Sequence, residues 1–448
     1  MSGSAKHSSG GGGDDRKGDF AWFRNTAPYI NAHRGRRFVL MLGGEIADRG
    51  ALAPLIHDIA LLASLGVHLV LVHGSRPQID ARLAAAGQHC AFHRGLRITD
   101  AAAMAHVRDA AGAQRVEIEA LLSMGLPNSP MQGANLRIVS GNFVTGRPIG
   151  VLDGIDHQLT GRVRGIDRDG ILAQLDAGSI VLLSPLGYSP TGEVFNLALE
   201  DVAVQAAVAI GAQKLVLFGS ADGVRDREGR LIRQCAVDEI AALAPAEPEQ
   251  ARLLDTAGRA CRQGVPRCHV ISYEADAALL EELFTHDGCG TLVTRRPYEQ
   301  SRQAKIDDVG GIIELIEPLE AEGILLKRSR ELLEAEIDRF RLLERDGRII
   351  ACAALYPFPA EHCGELACIV SHPDYRGARR GQRLLEELEA EARTQGLSRV
   401  FVLTTQTAHW FIEQGFVEGS RDELPSARRE LYNLQRNSKV FFKDLQAP

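Results

Sequence analysis

Ile369-Val370-Ser371-His372-Pro373-Asp374-Tyr375-Arg376-Gly377-Ala378-Arg379-Arg380-Gly381 runs directly into an amphipathic segment, residues 382–395. The start of this stretch is apolar and β-prone and its middle is a Gly/Arg loop. The segment after it repeats apolar residues at helical spacing. A strand therefore enters a loop that opens on a helix N-terminus. Free backbone N–H groups and the positive end of the helix dipole converge there, which suits a pyrophosphate, and Arg376, Arg379 and Arg380 add charge. A solvated basic turn would show the same residues.

Around this stretch, residues 349–356 and 365–371 read as antiparallel strands, preceded by helices over 308–321 and 329–341. A strand at 400–404, a short helix at 408–414 and a last strand at 439–444 follow. The pattern over residues 37–293 is different. Short apolar runs alternate with longer helical ones, the signature of a parallel sheet covered by helices. Phe38-Val39-Leu40-Met41-Leu42 and residues 67–72 are strands that end in Gly43-Gly44 and His73-Gly74, with a helix over 51–65 between them. The charged, Pro-containing residues 296–305 break the alternation and read as a linker between a first domain, 20–295, and a second, 306–448. The Gly/Ser-rich residues 1–19 read as a disordered tail.

Composition narrows the function. The chain has 448 residues, enough for two or three domains, and 45% are hydrophobic. A net charge of −7, from 51 Lys+Arg against 58 Asp+Glu, provides no basic field for nucleic acid. The most apolar stretch, residues 51–72, is interrupted by His57, Asp58 and His68, which argues against a membrane span. Eight cysteines show no C-x-x-C pair and no His at zinc spacing, so reduced cytoplasmic thiols and no metal are expected.

Residues 400–404 followed by Trp410-Phe411-Ile412-Glu413-Gln414-Gly415-Phe416 resemble the strand, helix and G-F turn that close a GNAT-type N-acetyltransferase, an α+β fold. The loop departs from that family's R-x-x-G-x-G at its fourth position, Arg379. The resemblance implies acetyl-CoA as co-substrate, held by Arg376, Gly377, Arg379, Arg380 and Gly381, and direct attack of an amine on the thioester. The backbone N–H groups of Cys368, Ile369 and Val370 would polarise the carbonyl or pair with the pantetheine arm. Glu365, at the start of the central strand, is the candidate general base, a salt-bridged strand-start carboxylate being the alternative. Cys368 reads as a packing residue, since no activating group stands at a telling spacing.

Two basic clusters, Lys327-Arg328-Ser329-Arg330 and Arg436-Asn437-Ser438-Lys439, could grip a dicarboxylate. Together with Cys363-Gly364-Glu365-Leu366-Ala367-Cys368 and Asp422-Glu423-Leu424-Pro425 they resemble the bacterial N-acetylglutamate synthases of arginine biosynthesis, over roughly the whole of residues 20–446. That resemblance implies L-glutamate as acetyl acceptor, bound by Arg328, Arg436 and Ser438, with Glu365 catalytic and no metal. An acetyltransferase for another acidic amino acid and a non-catalytic arginine sensor are the competing readings.

The first domain resembles the amino-acid kinase fold, a three-layer αβα sandwich, and most closely acetylglutamate kinase. Met41 stands where those kinases carry a Lys, and His73-Gly74-Ser75-Arg76-Pro77 replaces their glycine-rich second loop. Phosphoryl transfer depends on positioning and charge, so no kinase activity is expected. His269, Glu282 and Gly288, with Lys214, resemble the segment that binds L-arginine in arginine-inhibited kinases. Residues 20–33, with Trp22, Phe23 and Tyr29, read as a helix that docks on a neighbour in a homo-oligomer, a hexamer in related enzymes, or lies over its own domain.

Overall fold

The structure, a computed structural model, describes residues 24, 26–125, 131–243, 245, 247–285, 287–295, 299–345, 348–375, 379–430 and 438–445. The expected tail at 1–19, Trp22, Phe23, Arg376, Gly377 and Arg436 lie outside the described residues. The chain divides into two compact units, Met1–Arg296 and Pro297–Pro448.

The first unit is built on an eight-stranded sheet. Its strands in chain order are β1 (Arg37–Leu42), β2 (His68–His73), β3 (Arg137–Ser140), β4 (Ser179–Leu183), β5 (Lys214–Gly219), β6 (Gln234–Ala236), β7 (Arg267–Ser272) and β8 (Thr291–Thr294). The spatial order is β6-β8-β7-β5-β1-β2-β4-β3, parallel except for β7 against β8. Alternation along β1 explains the layering. Phe38, Leu40 and Leu42 enter one core with the helix Leu52–Ser64, and Val39 and Met41 enter the opposite core with Leu199–Ala209 and Pro248–Arg262. This is the α/β sandwich expected from the sequence. The described turns before β1 lay Tyr29, Ile30 and the buried His33 on the core of their own unit.

The second unit carries a seven-stranded sheet of β9 (Glu299–Gln303), β10 (Phe340–Arg345), β11 (Arg348–Phe358), β12 (Cys363–Ser371), β13 (Arg399–Thr404), β14 (Val417–Gly419) and β15 (Lys439–Asp444), in the order β9-β10-β11-β12-β13-β15-β14. Residues expected to be a linker are therefore an edge strand. The charges that made 296–305 look like a solvated connection are spent inside the unit: Glu299 pairs with Arg380, and Arg302 with Asp308 and Glu344. The helix expected over 329–341 stops at Ala335, because Phe340 and Leu342, both fully buried, belong to β10. One face of the sheet is covered by α1 (Val309–Ala321), through Val309, Ile312 and Ile316. The other is covered by α2 (Arg380–Thr394), through Leu384, Leu385 and Leu388.

Candidate functional site

Two features of β12 create a fork in the second sheet. It pairs with β13 in parallel at Cys363, Gly364 and Glu365 and no further, so from Leu366 to Ser371 that edge meets no strand among the described residues. Against β11 the register shifts between Cys352/Ala354, opposite Cys368, which adopts φ 51°. A bulge of this kind bends the strand and disrupts its ladder locally. An open strand edge of unpaired N–H and C=O groups is what an amide-containing pantetheine chain would pair with. The Cys368 thiol is buried, and burial pushes its pKa up to about 11, which suits packing and not attack.

Glu365 is the last residue before the strands part. It lies opposite Tyr356 of β11, so the two side chains share a face. Its carboxylate accepts from Arg428 twice, Nε to Oε2 at 2.5 Å and Nη2 to Oε1 at 3.0 Å. The salt-bridged alternative is thus what the structure shows, at the very place where a base is needed. Arg328 lies within electrostatic reach of Tyr356 and Glu365, and its Nη1 donates to the Leu326 carbonyl at 3.1 Å. Burial works against its charge, but Cys368, Tyr356 and Glu365 around it leave its pKa raised. The Tyr356 hydroxyl donates to Glu336 at 2.9 Å, and Arg339 sits over its ring at 4.8 Å. Ser438 is buried at the start of the last strand. Arg428 and Tyr356 escaped the sequence reading. Their signals were a second arginine pair, Arg428-Arg429, behind Leu424-Pro425, and a lone tyrosine in a strand of small residues.

At the loop, Arg379 adopts φ 55° as the residue opening α2 and is exposed, whereas Gly381 meets Trp410. Arg380 differs from the expectation of a free phosphate ligand. Its guanidinium is buried against Glu299 and donates to the Tyr375 carbonyl at 2.8 Å, so it fixes the loop entry to the edge strand.

In the first unit, Lys214, His269 and Glu282 form a chain. Lys214 Nζ donates to His269 Nε2 at 3.1 Å, and His269 Nδ1 donates to Glu282 Oε1 at 2.6 Å. An ammonium can only donate, which places the imidazole proton on Nδ1 and leaves the ring neutral. Burial first, then the Lys214 charge, holds the His269 pKa down to about 4. Glu282 Oε2 accepts from the N–H groups of Cys289 and Gly290, both at 2.8 Å. Burial works against its charge, and these bonds with His269 outweigh it, leaving its pKa below the usual range. Gly288, at φ 62°, lies against the same carboxylate. The four residues singled out in the sequence are therefore one cluster. At the glycine loops, Met41 is buried in the core, and a Cβ on Gly74 would meet Leu199 at 2.9 Å.

Comparison with known proteins agrees with both halves. The amino acid kinase family matches residues 36–272, and the acetyltransferase (GNAT) family matches residues 312–416. The amino-acid acetyltransferase of Ectopseudomonas mendocina is 59% identical over 426 residues, 95% of this chain and 99% of that protein. That of Azotobacter vinelandii is 58% identical with the same coverage. The crystal structure of N-acetylglutamate synthase from Neisseria gonorrhoeae complexed with coenzyme A and L-arginine has 40% identity and a TM-score of 0.85, covering 95% of this chain and 99% of that one. Among the described residues no helix is long and apolar enough to cross a membrane. With a kinase-like α/β sandwich followed by a forked acetyltransferase sheet along one chain, the protein belongs to the bacterial amino-acid acetyltransferases of the N-acetylglutamate synthase family and is an acyltransferase.

Proposed function

We propose that the chain transfers the acetyl group of acetyl-CoA to the α-amine of L-glutamate, giving N-acetyl-L-glutamate and CoA, and that L-arginine binds the first unit and regulates this reaction. The observation that carries the reading is a carboxylate, Glu365, held by the Arg428 guanidinium at the point where β12 and β13 part, with the charge of Arg328 within electrostatic reach of it. A dicarboxylate amino acid needs two cationic anchors and one base within reach of its amine, and forked guanidinium groups hold carboxylates with defined geometry. Arg436 and Ser438 are assigned to the same acceptor and Glu365 to the proton. The open edge of β12 takes the pantetheine arm, Cys368, Ile369 and Val370 supply N–H donors, and the loop of Arg376, Gly377, Arg379 and Gly381 takes the pyrophosphate.

For arginine, the cluster in the first unit offers a carboxylate, Glu282, for the guanidinium, and an ammonium, Lys214, for the ligand's carboxylate, with His269 between them. A relative was crystallised with coenzyme A and L-arginine, and again with coenzyme A and N-acetyl-glutamate, which supports the assignment of both ligands. The test is product formation with each amino acid in turn, followed by mass spectrometry, with and without arginine. N-acetylglutamate as the main product, at a rate altered by arginine, is expected. Absence of that product with glutamate would remove the reading.

A further inference from the structure

We propose that Arg428 keeps the base Glu365 occupied and releases it only to a substrate that brings a side-chain carboxylate of its own, so that an acidic side chain becomes a condition of turnover. This rests on the function proposed above and deepens it by assigning the residue that selects the substrate class.

Both oxygens of Glu365 are taken by one guanidinium, and the two side chains are only 14% and 11% exposed. In that state the carboxylate is not free to receive an amine proton. Pulling a guanidinium away from a mostly buried carboxylate with nothing in exchange breaks a bidentate pair in a poorly hydrated site, which is unfavourable. Exchanging one carboxylate for another is close to neutral for the guanidinium, because the incoming group offers the same bidentate geometry. A neutral side chain cannot make that exchange, whereas a substrate carboxylate can.

The surroundings are built for such an exchange. Arg428 sits on α3 (Ser426–Glu430), a five-residue helix with no buried residue. Its first residue is tied down, since the Ser426 hydroxyl donates to Glu361 at 3.1 Å, and Arg429 donates to the Asp422 carbonyl at 3.3 Å. The Arg428 side chain therefore reaches Glu365 from a surface helix and not from an element of the core. Arg328 also lies within electrostatic reach of Glu365, so a vacated Glu365 keeps a cation nearby. The Tyr356 hydroxyl is committed to Glu336 and does not compete for it.

Once free, Glu365 accepts a proton from the substrate ammonium. The amine lone pair then attacks the thioester carbonyl, the C–N bond forms and the C–S bond breaks. Of the two protons the nitrogen gives up, one ends on the CoA sulfur and the other leaves through Glu365 to water. The acetyl group moves from sulfur to nitrogen with no redox change.

The experiment compares L-glutamate with L-glutamine, alike in shape but not in charge, on the full chain at saturating acetyl-CoA. Arg428→Gln is expected to lose at least roughly 100-fold in kcat/KM for glutamate while kcat for glutamine rises roughly tenfold, because the base now stands unguarded. Arg428→Lys, which keeps the charge without the fork, should fall between the two in its preference. Equal losses on both substrates, or glutamine turnover that does not rise, would overturn the proposal and leave Arg428 a structural residue. Acetyl-CoA affinity is measured for each variant. If Arg428→Gln no longer binds it, Arg428→Lys decides, and a glutamate-to-glutamine ratio within about twofold of wild type sinks the idea. A wild type that forms no N-acetylglutamate overturns the proposed function itself, and so is told apart from failure of this inference alone.

Discussion

Glu282 and Glu365 are buried to the same degree, each 9% exposed, yet they are held in opposite ways. Glu282 accepts from two backbone N–H groups and from a buried histidine on a strand of the sheet, donors fixed by the fold of the backbone. Glu365 is held by one long side chain from a short surface helix. A carboxylate fixed by backbone is suited to recognising a ligand cation in one geometry. One fixed by a removable side chain is suited to changing its partner during a reaction. Burial alone would not separate the two roles, but the nature of the donors does.

The contrast breaks most visibly if Glu365 is not the base. Glu365→Gln keeps the size of the side chain and one acceptor but cannot take a proton, so kcat should fall by roughly 10² to 10⁴ with the KM for acetyl-CoA little changed. A loss under about tenfold would return Glu365 to the status of a structural ion pair. Next in size is Glu282→Gln, which keeps an oxygen for the Cys289 and Gly290 N–H groups but removes the charge. The half-maximal arginine concentration should rise roughly 50-fold, within the usual range of coupling energies. An unchanged arginine response would move the effector site elsewhere.

The two carboxylates were both visible in the sequence, for different reasons. Glu282 stood with His269 and Gly288 in a run that resembles an arginine-binding segment, and the three meet through a strand, a turn and a helix close in sequence. The partner of Glu365 lies 63 residues further on, and nothing local in Arg428-Arg429 marks which arginine turns inward. The same difference explains the misread linker. Residues 299–303 are charged enough to look solvated, and only the pairing of Glu299 with Arg380, 81 residues away, makes them an edge strand. Apolar alternation in β1 and β2, by contrast, carries the sheet within a residue of its observed ends, because each side chain there meets only its own core.

Acidification tests whether the first unit depends on neutral buried histidines as the second does not. His33, His73 and His269 are each held down to about 4, foremost by burial, helped by Lys214 for His33 and His269 and by Arg115 for His73. Above pH 6.5 all three are neutral whether the chain is folded or not, and their burial is fully tolerated. Between about 6.5 and 4 the unfolded chain binds protons that the folded chain refuses, so stability falls as pH falls. Asp58 opposes this. Burial, with Asp276 beside it, raises its pKa to about 6, and the folded chain gains the proton first. Three groups against one leave a net loss on the order of 2 kcal/mol by pH 5.5, measured by denaturant unfolding at two pH values. A flat profile over that range would mean the histidines are hydrated.

The smallest effect separates the two left-handed residues that flank the carboxylates, Gly288 at φ 62° and Cys368 at φ 51°. Cys368 carries a side chain in that conformation at the bulge, where the Cys352 thiol donates to its carbonyl. Gly288 has none: a Cβ there would lie 2.4 Å from Glu282 Oε2, an oxygen pinned by two backbone N–H groups. Gly288→Ala therefore costs about 1 kcal/mol in backbone strain and also pushes Glu282 off its donors, so the unfolding midpoint and arginine affinity should fall together. Cys368→Gly relieves the same backbone strain at the fork while giving up a buried thiol, and its stability should stay within about 1 kcal/mol of wild type. If Gly288→Ala lowered stability and left arginine binding intact, the pinned carboxylate would not be what holds the ligand.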